Sequence, residues 1–143
     1  FLAGIELGIR AAADAVTETP LSSSRKAFDY IYRHLHNLDH EEFWVVYLRQ
    51  NLTPVSACCA SRGGVSSTLV DVKVIMRQAL ACPGCTALML FHNHPSGTLR
   101  PSAQDDSLTT RITEAARLLE LRVLDHIIVG RNEYFSYHDE GKM

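Results

Sequence analysis

The chain has 143 residues, 46% of them hydrophobic, and a net charge of −2 at pH 7, a size that suits one domain with a real core. Lys and Arg are scattered rather than gathered in a stripe, so charge gives no case for nucleic-acid binding. No apolar run approaches the length of a membrane-crossing helix. In chain order, Ser22 to Ser24 offer caps for a helix reaching about Leu38, with Phe28, Ile31, Tyr32 and Leu35 on one face. A strand is expected over 43–48, and Gln50-Asn51-Leu52-Thr53-Pro54 turns into a second over 55–60, as in a hairpin. Gly63-Gly64 interrupts it. Asp71 caps a helix carrying Val74, Ile75 and Ala79. An apolar strand ending in histidines follows, then a helix from Ser102 and a strand over 123–129. A turn at Gly130-Arg131-Asn132 leads to Tyr134-Phe135-Ser136. Mixed strands with interspersed helices argue for an α/β fold, a mixed β-sheet flanked by helices.

The stretch Phe91-His92-Asn93-His94-Pro95-Ser96-Gly97 carries the most chemistry. Leu88 to Phe91 is a continuous apolar run, as in a buried strand. Residues two apart on a strand share a face, so His92 and His94 point the same way and Asn93 turns aside. Pro95-Ser96-Gly97 breaks the strand. Ser102 is a good N-cap for a helix with Leu108, Ile112, Ala115, Ala116 and Leu119, and Asp105 sits in its first turn. A loop of this length can fold back and bring Asp105 beside the two imidazoles. Two neutral nitrogens and a carboxylate suit zinc, with one coordination position left open for catalysis. Each part has an ordinary reading too. Histidine pairs are often plain core or surface residues, and Ser102 with Asp105 forms a capping box that needs no metal.

H-x-H, seven residues, then S-x-x-D resembles the JAMM (MPN+) metalloprotease signature, here His92, His94, Ser102 and Asp105. The surroundings resemble its bacterial RadC branch. The matching stretches are His40-Glu41-Glu42-Phe43-Trp44, Arg62-Gly63-Gly64-Val65-Ser66, His92 to Gly97 and Val123-Leu124-Asp125-His126-Ile127-Ile128. The resemblance spans about residues 22–143 and implies a cytidine-deaminase-like JAMM/MPN arrangement. It also implies Zn2+ held by His92, His94 and Asp105, and hydrolysis of a peptide or isopeptide bond in a protein or peptide substrate. Glutamates ahead of a strand are usually surface charges. The family spacing, an acidic residue, one variable position, then Phe, selects Glu41 as proton carrier and leaves Glu42 solvated. Ser102 would donate a hydrogen bond to the developing oxyanion. An N-cap hydroxyl accepts from the helix and keeps its own proton to give.

Residues 1–21 resemble the end of the helix-hairpin-helix segment ahead of this domain in RadC-like proteins, with a Thr-, Ser- and Pro-rich linker over 13–24. A simple N-terminal helix of the same domain is the alternative. A start at Phe1 rather than Met is expected of a fragment, and any association with DNA would run through that segment. Asp125 and His126 are read as second-shell support for a ligand histidine, or as strand anchors. Ser66, Ser67 and Thr68 match the segment lining the family's cleft, and an ordinary bulge and turn explains them equally. Cys58, Cys59, Cys82 and Cys85 lack zinc-site spacing and read as reduced, mostly buried thiols of a cytoplasmic protein. The order of a deaminase's H-x-E and P-C-x-x-C is absent. His34, His36, His40 and His138 read as surface residues. Three functions stand against each other: a zinc hydrolase, a DNA repair or recombination factor, and a noncatalytic MPN scaffold.

Overall fold

A computed structural model describes residues 19–64 and 69–143. Residues 1–18, which hold most of the helix-hairpin-helix remnant and half of the linker, lie outside the described residues, as do Ser66, Ser67 and Thr68. The described chain runs α1 (Ser24–Leu35), β1 (Glu42–Leu48), β2 (Pro54–Arg62), α2 (Val72–Ala81), β3 (Ala87–Asn93), α3 (Ala103–Leu118), β4 (Arg122–Val129) and β5 (Tyr134–Ser136). The strands form one mixed sheet in the order β2-β1-β3-β4-β5. Three neighbouring pairs are antiparallel and β3 with β4 is parallel, joined through α3.

Helices cover both faces of the sheet, which is why all seven residues of β1 and of β3 are buried. Alternation along the strands sorts them into two cores. On one face Trp44, Val46, Leu48, Met89 and Phe91 pack with Ala27, Phe28, Ile31 and Leu35 of α1. On the other, Phe43, Val45, Tyr47, Leu88 and Leu90 pack with Ile75, Met76 and Ala79 of α2 and Leu108, Ile112 and Ala116 of α3. The fold is thus the expected α/β arrangement around a mixed sheet. No described helix is long and apolar enough to cross a membrane.

Element ends differ from the sequence expectation for local reasons. The first helix stops at Leu35 rather than near Leu38, because Asn37 takes a left-handed conformation at φ 61°. The second strand extends to Arg62, which pairs with Glu42. Phe43 pairs with Ser61 and Trp44 with Cys59, so Ala60 is the extra residue of a β-bulge. That bulge lies beside the start of β1, where Glu41 enters the sheet.

Candidate metal centre

The site is assembled where β3 ends and α3 begins. The β3 pleat carries on past Asn93, because His94 N–H donates to the Val129 carbonyl at 3.0 Å. His92 and His94 therefore share the face covered by α3, and their Nε2 atoms stand 2.9 Å apart. The chain then reverses at Gly97, whose φ of 84° favours glycine, and whose N–H donates to the His94 carbonyl at 2.9 Å. Asp105 returns in the first turn of α3. Its Oδ1 lies 3.3 Å from His92 Nε2 and its Oδ2 3.3 Å from His94 Nε2. The capping box is present as well: Asp105 N–H donates to Ser102 Oγ and Ser102 N–H donates to Asp105 Oδ2. The cap aims the carboxylate, so the two readings of Asp105 are one arrangement.

Glu41 approaches from the neighbouring strand. Phe43 pairs with His92 across β1 and β3, so two residues earlier Glu41 lies across from His94 on the same face. Its Oε1 is 3.8 Å from His94 Nε2, and donor atoms of Glu41, His92 and His94 all lie within 4.8 Å of one another. Two carboxylates thus compete for the third ligand place. Asp105 is buried and close to both rings, whereas Glu41 is half-exposed and farther out. Ser102, exposed at the helix start, keeps its hydroxyl proton free, since its Oγ accepts from the helix.

A buried chain of hydrogen bonds sets the histidine tautomers. Thr109 Oγ1 gives its one proton to the Asp105 carbonyl at 2.7 Å. It must therefore accept from His126 Nδ1–H, 2.6 Å away. Burial holds His126 well below its ordinary pKa, so it is neutral and, with its proton on Nδ1, its Nε2 is an acceptor. His92 Nδ1–H then donates to His126 Nε2 at 2.7 Å. On the outer side His94 Nδ1–H donates to the Thr98 carbonyl at 2.8 Å. Both Nε2 lone pairs are left facing each other and the Asp105 carboxylate. Burial alone would raise the Asp105 pKa, yet the neighbouring His92 and His94 and the Ser102 N–H hold it well below the usual carboxylate range, so it is an anion. Three electron-rich groups converging with no donor among them repel unless a cation lies at their centre, so the donor set fits a divalent metal.

Removing the hydroxyl of Thr109 tests this chain directly. Thr109→Val leaves His126 Nδ1–H buried without an acceptor. The expected loss is about 1–3 kcal/mol of stability, read as a lowered denaturation midpoint at unchanged m-value. A midpoint equal to wild type would show that the tether does not hold His92.

Several sequence assignments change. Glu42 is not solvated: it is 7% exposed, and its carboxylate accepts from Trp44 Nε1 at 2.9 Å and contacts His40 Nε2 at 2.7 Å. Of the two readings of Asp125, the structure supports the strand anchor and not the orienting of a ligand histidine. Both its oxygens are taken by Ser136 Oγ and by the backbone N–H groups of His126 and His138, which anchors β4 to the chain end. His126 alone of that pair reaches the site. His34 stacks on Trp44 and His36 Nδ1 lies 2.8 Å from the Tyr32 carbonyl, so these two are partly buried; His138 is exposed, and His40, though it contacts Glu42, keeps 41% of its side chain exposed. The four cysteines are free and each is largely covered, as expected. Cys58 packs toward one core and Cys59 toward the other, because strand neighbours face opposite ways. Burial and the charge of Glu42 push the Cys59 thiol up to about 11, which makes it inert. Sequence reading passed over Thr109 and Asn93. Thr109 follows Asp105 by one helical turn, a spacing that could have flagged it.

The family described as the RadC-like JAB domain matches residues 21–142. The chain is 38% identical to a UPF0758 protein of Flavobacterium johnsoniae, over 98% of this chain and 61% of the relative. It is 47% identical to a UPF0758 protein of Porphyromonas gingivalis, over 85% of this chain and 53% of the relative. With UPF0758 protein YfjY of Escherichia coli it shares 34% identity over 87% of this chain and 78% of that one. The chain spans little more than half the length of the first two relatives.

Proposed function

The chain belongs to the RadC-like JAB domain family, and from that premise we propose that it is a zinc-dependent hydrolase of peptide or isopeptide bonds, with residues 22–143 as the catalytic unit. The observation that carries the reading is the convergence of His92 Nε2, His94 Nε2 and the Asp105 carboxylate at 2.9–3.3 Å from one another. Ligand atoms of one tetrahedral zinc stand about 3.3 Å apart. Asp105 takes the third ligand place because the capping box locks it between the rings. Glu41, beyond direct hydrogen-bond reach of His94, leaves room for a water. A bound zinc ion supplies a Lewis acid and makes a water at the centre more acidic. Glu41 hydrogen-bonds the attacking water, takes its proton and delivers it to the leaving nitrogen. Ser102 donates its hydroxyl proton as a hydrogen bond to the oxygen on which charge develops. Thr109 and His126 keep His92 in the tautomer that offers Nε2.

The deciding experiment is hydrolysis of a quenched-fluorescent peptide pool by the purified domain. Cleavage should be abolished by a chelator and restored by zinc. No cleavage by protein shown to hold zinc would remove the peptidase reading. Metal binding should also depend on pH. Burial pulls the His94 pKa down, but the hydrogen bond to Asp105 and that to the Thr98 carbonyl outweigh it, leaving a net rise above 6.5. A proton therefore competes with the metal for Nε2 at a higher pH than for an ordinary histidine. Zinc affinity is expected to be level at higher pH and to fall about tenfold per pH unit below the His94 pKa for each proton displaced. Competition against a chromophoric chelator at several pH values reads this; an affinity that stays level as pH falls through the ordinary histidine range would exclude His94 as a ligand.

A further inference from the structure

We propose that Asn93, the residue between the two ligand histidines, is the positioning residue for Glu41; this rests on the reading of Glu41 as proton carrier. Main-chain pairing of β1 with β3 ends at Phe43 and His92. Beyond that point the Asn93 side chain takes over. Its Oδ1 accepts from Glu42 N–H at 2.8 Å and its Nδ2 donates to the His40 carbonyl at 2.8 Å. These two groups flank Glu41 on either side. A third bond closes the clamp, from Gly63 N–H to the Glu41 carbonyl at 2.7 Å.

Strand alternation gives this clamp its effect. His92 and His94 face α3, so Asn93 faces the α1 side, where it is 3% exposed. Glu42 also points to the α1 side and is held there by Trp44 and His40. With both neighbours tied, the backbone at Glu41 is held so that its side chain leaves the strand toward the histidine face. A carboxamide is suited to this because it carries one acceptor and one donor group on the same plane. An aspartate in its place keeps the acceptor and loses the donor. The H-x-H tripeptide thus does two tasks, ligands on one face of the strand and the tether of the base on the other.

The test compares Asn93→Ala, Asn93→Asp and Glu41→Gln with wild type in the zinc-loaded domain. Amide hydrogen exchange reads the clamp without any substrate. In Asn93→Ala the Glu42 amide should exchange roughly tenfold faster, the weight of one hydrogen bond, with β3 and β4 amides and zinc content unchanged. Asn93→Asp, which retains the acceptor, should lie between the two and serves if the alanine variant fails to fold. With a quenched-fluorescent peptide, Asn93→Ala should lower kcat at least tenfold with KM unchanged. In the Glu41→Gln background the same change should cost nothing further. Unchanged exchange at Glu42 overturns the proposal, as does an equal loss of rate in the Glu41→Gln background. A Glu41→Gln variant as fast as wild type would instead sink the role of Glu41, and the exchange result alone would then decide whether Asn93 is a clamp.

Discussion

Replacing His92 and His94 together by alanine is expected to bring zinc from about one ion per chain to near zero, since two of three ligands are removed. The single variants should lose metal as well but differ in stability. His94 lies nearer the surface, its side chain 9% exposed, and its Nδ1–H is tied only to the Thr98 carbonyl. His92 is fully buried, and its removal leaves His126 Nε2 without its donor. His92→Ala should therefore cost about 1–3 kcal/mol for the unpaired group, with a cavity cost added. His94→Ala should cost less, because it relieves the crowding of lone pairs. Elemental analysis of purified protein, with denaturation of the metal-free forms, reads both effects. Wild-type protein without zinc even after reconstitution would leave only the fold and move the weight to a binding role.

Glu41→Gln should retain zinc and lose about 10²–10⁴ in kcat, the usual worth of a positioned general base. Glutamine keeps the size and hydrogen-bonding reach of the side chain but cannot take the water's proton. Glu42 is the natural control, one residue away and chemically identical. Burial acts to raise its pKa, but Trp44, His40 and Arg62 bring it net below the ordinary value, so it is a charge inside a structural cluster. Glu42→Gln should lower stability and spare the chemistry. If Glu42→Gln cost the larger share of kcat and Glu41→Gln little, the two roles would have to be exchanged. Loss of metal in Glu41→Gln would make Glu41 a ligand, in line with its donor atom lying within 4.8 Å of both histidines.

Local pattern was legible wherever a residue's neighbours in sequence are also its partners. The alternation that sets His92 and His94 on one face is a property of any strand. The Ser102 cap and the Asp105 carboxylate are three residues apart on one helical turn, close enough to bond each other. Helix and strand positions followed from the same short-range rules, and the missed helix end at Asn37 reflects a left-handed conformation that side-chain periodicity does not encode. Glu42 was misplaced because its burial depends on Trp44, His40 and Arg62 closing over it from a strand, a loop and a bulged edge.

The amino-acid order by itself determined the strand that carries His92 and His94, the helix that carries Asp105, and the α/β class, since each arises from repeats of two or 3.6 residues along the chain. Only the tertiary structure decided that Glu42 is buried on the face away from the histidines, that His126 rather than Asp125 bonds His92, and that Asn93 bonds the chain on both sides of Glu41. Those choices depend on the β1–β3 and β3–β4 registers. Each strand register is set by the packing of two whole cores, and a shift of one residue would turn every one of these side chains to the opposite face.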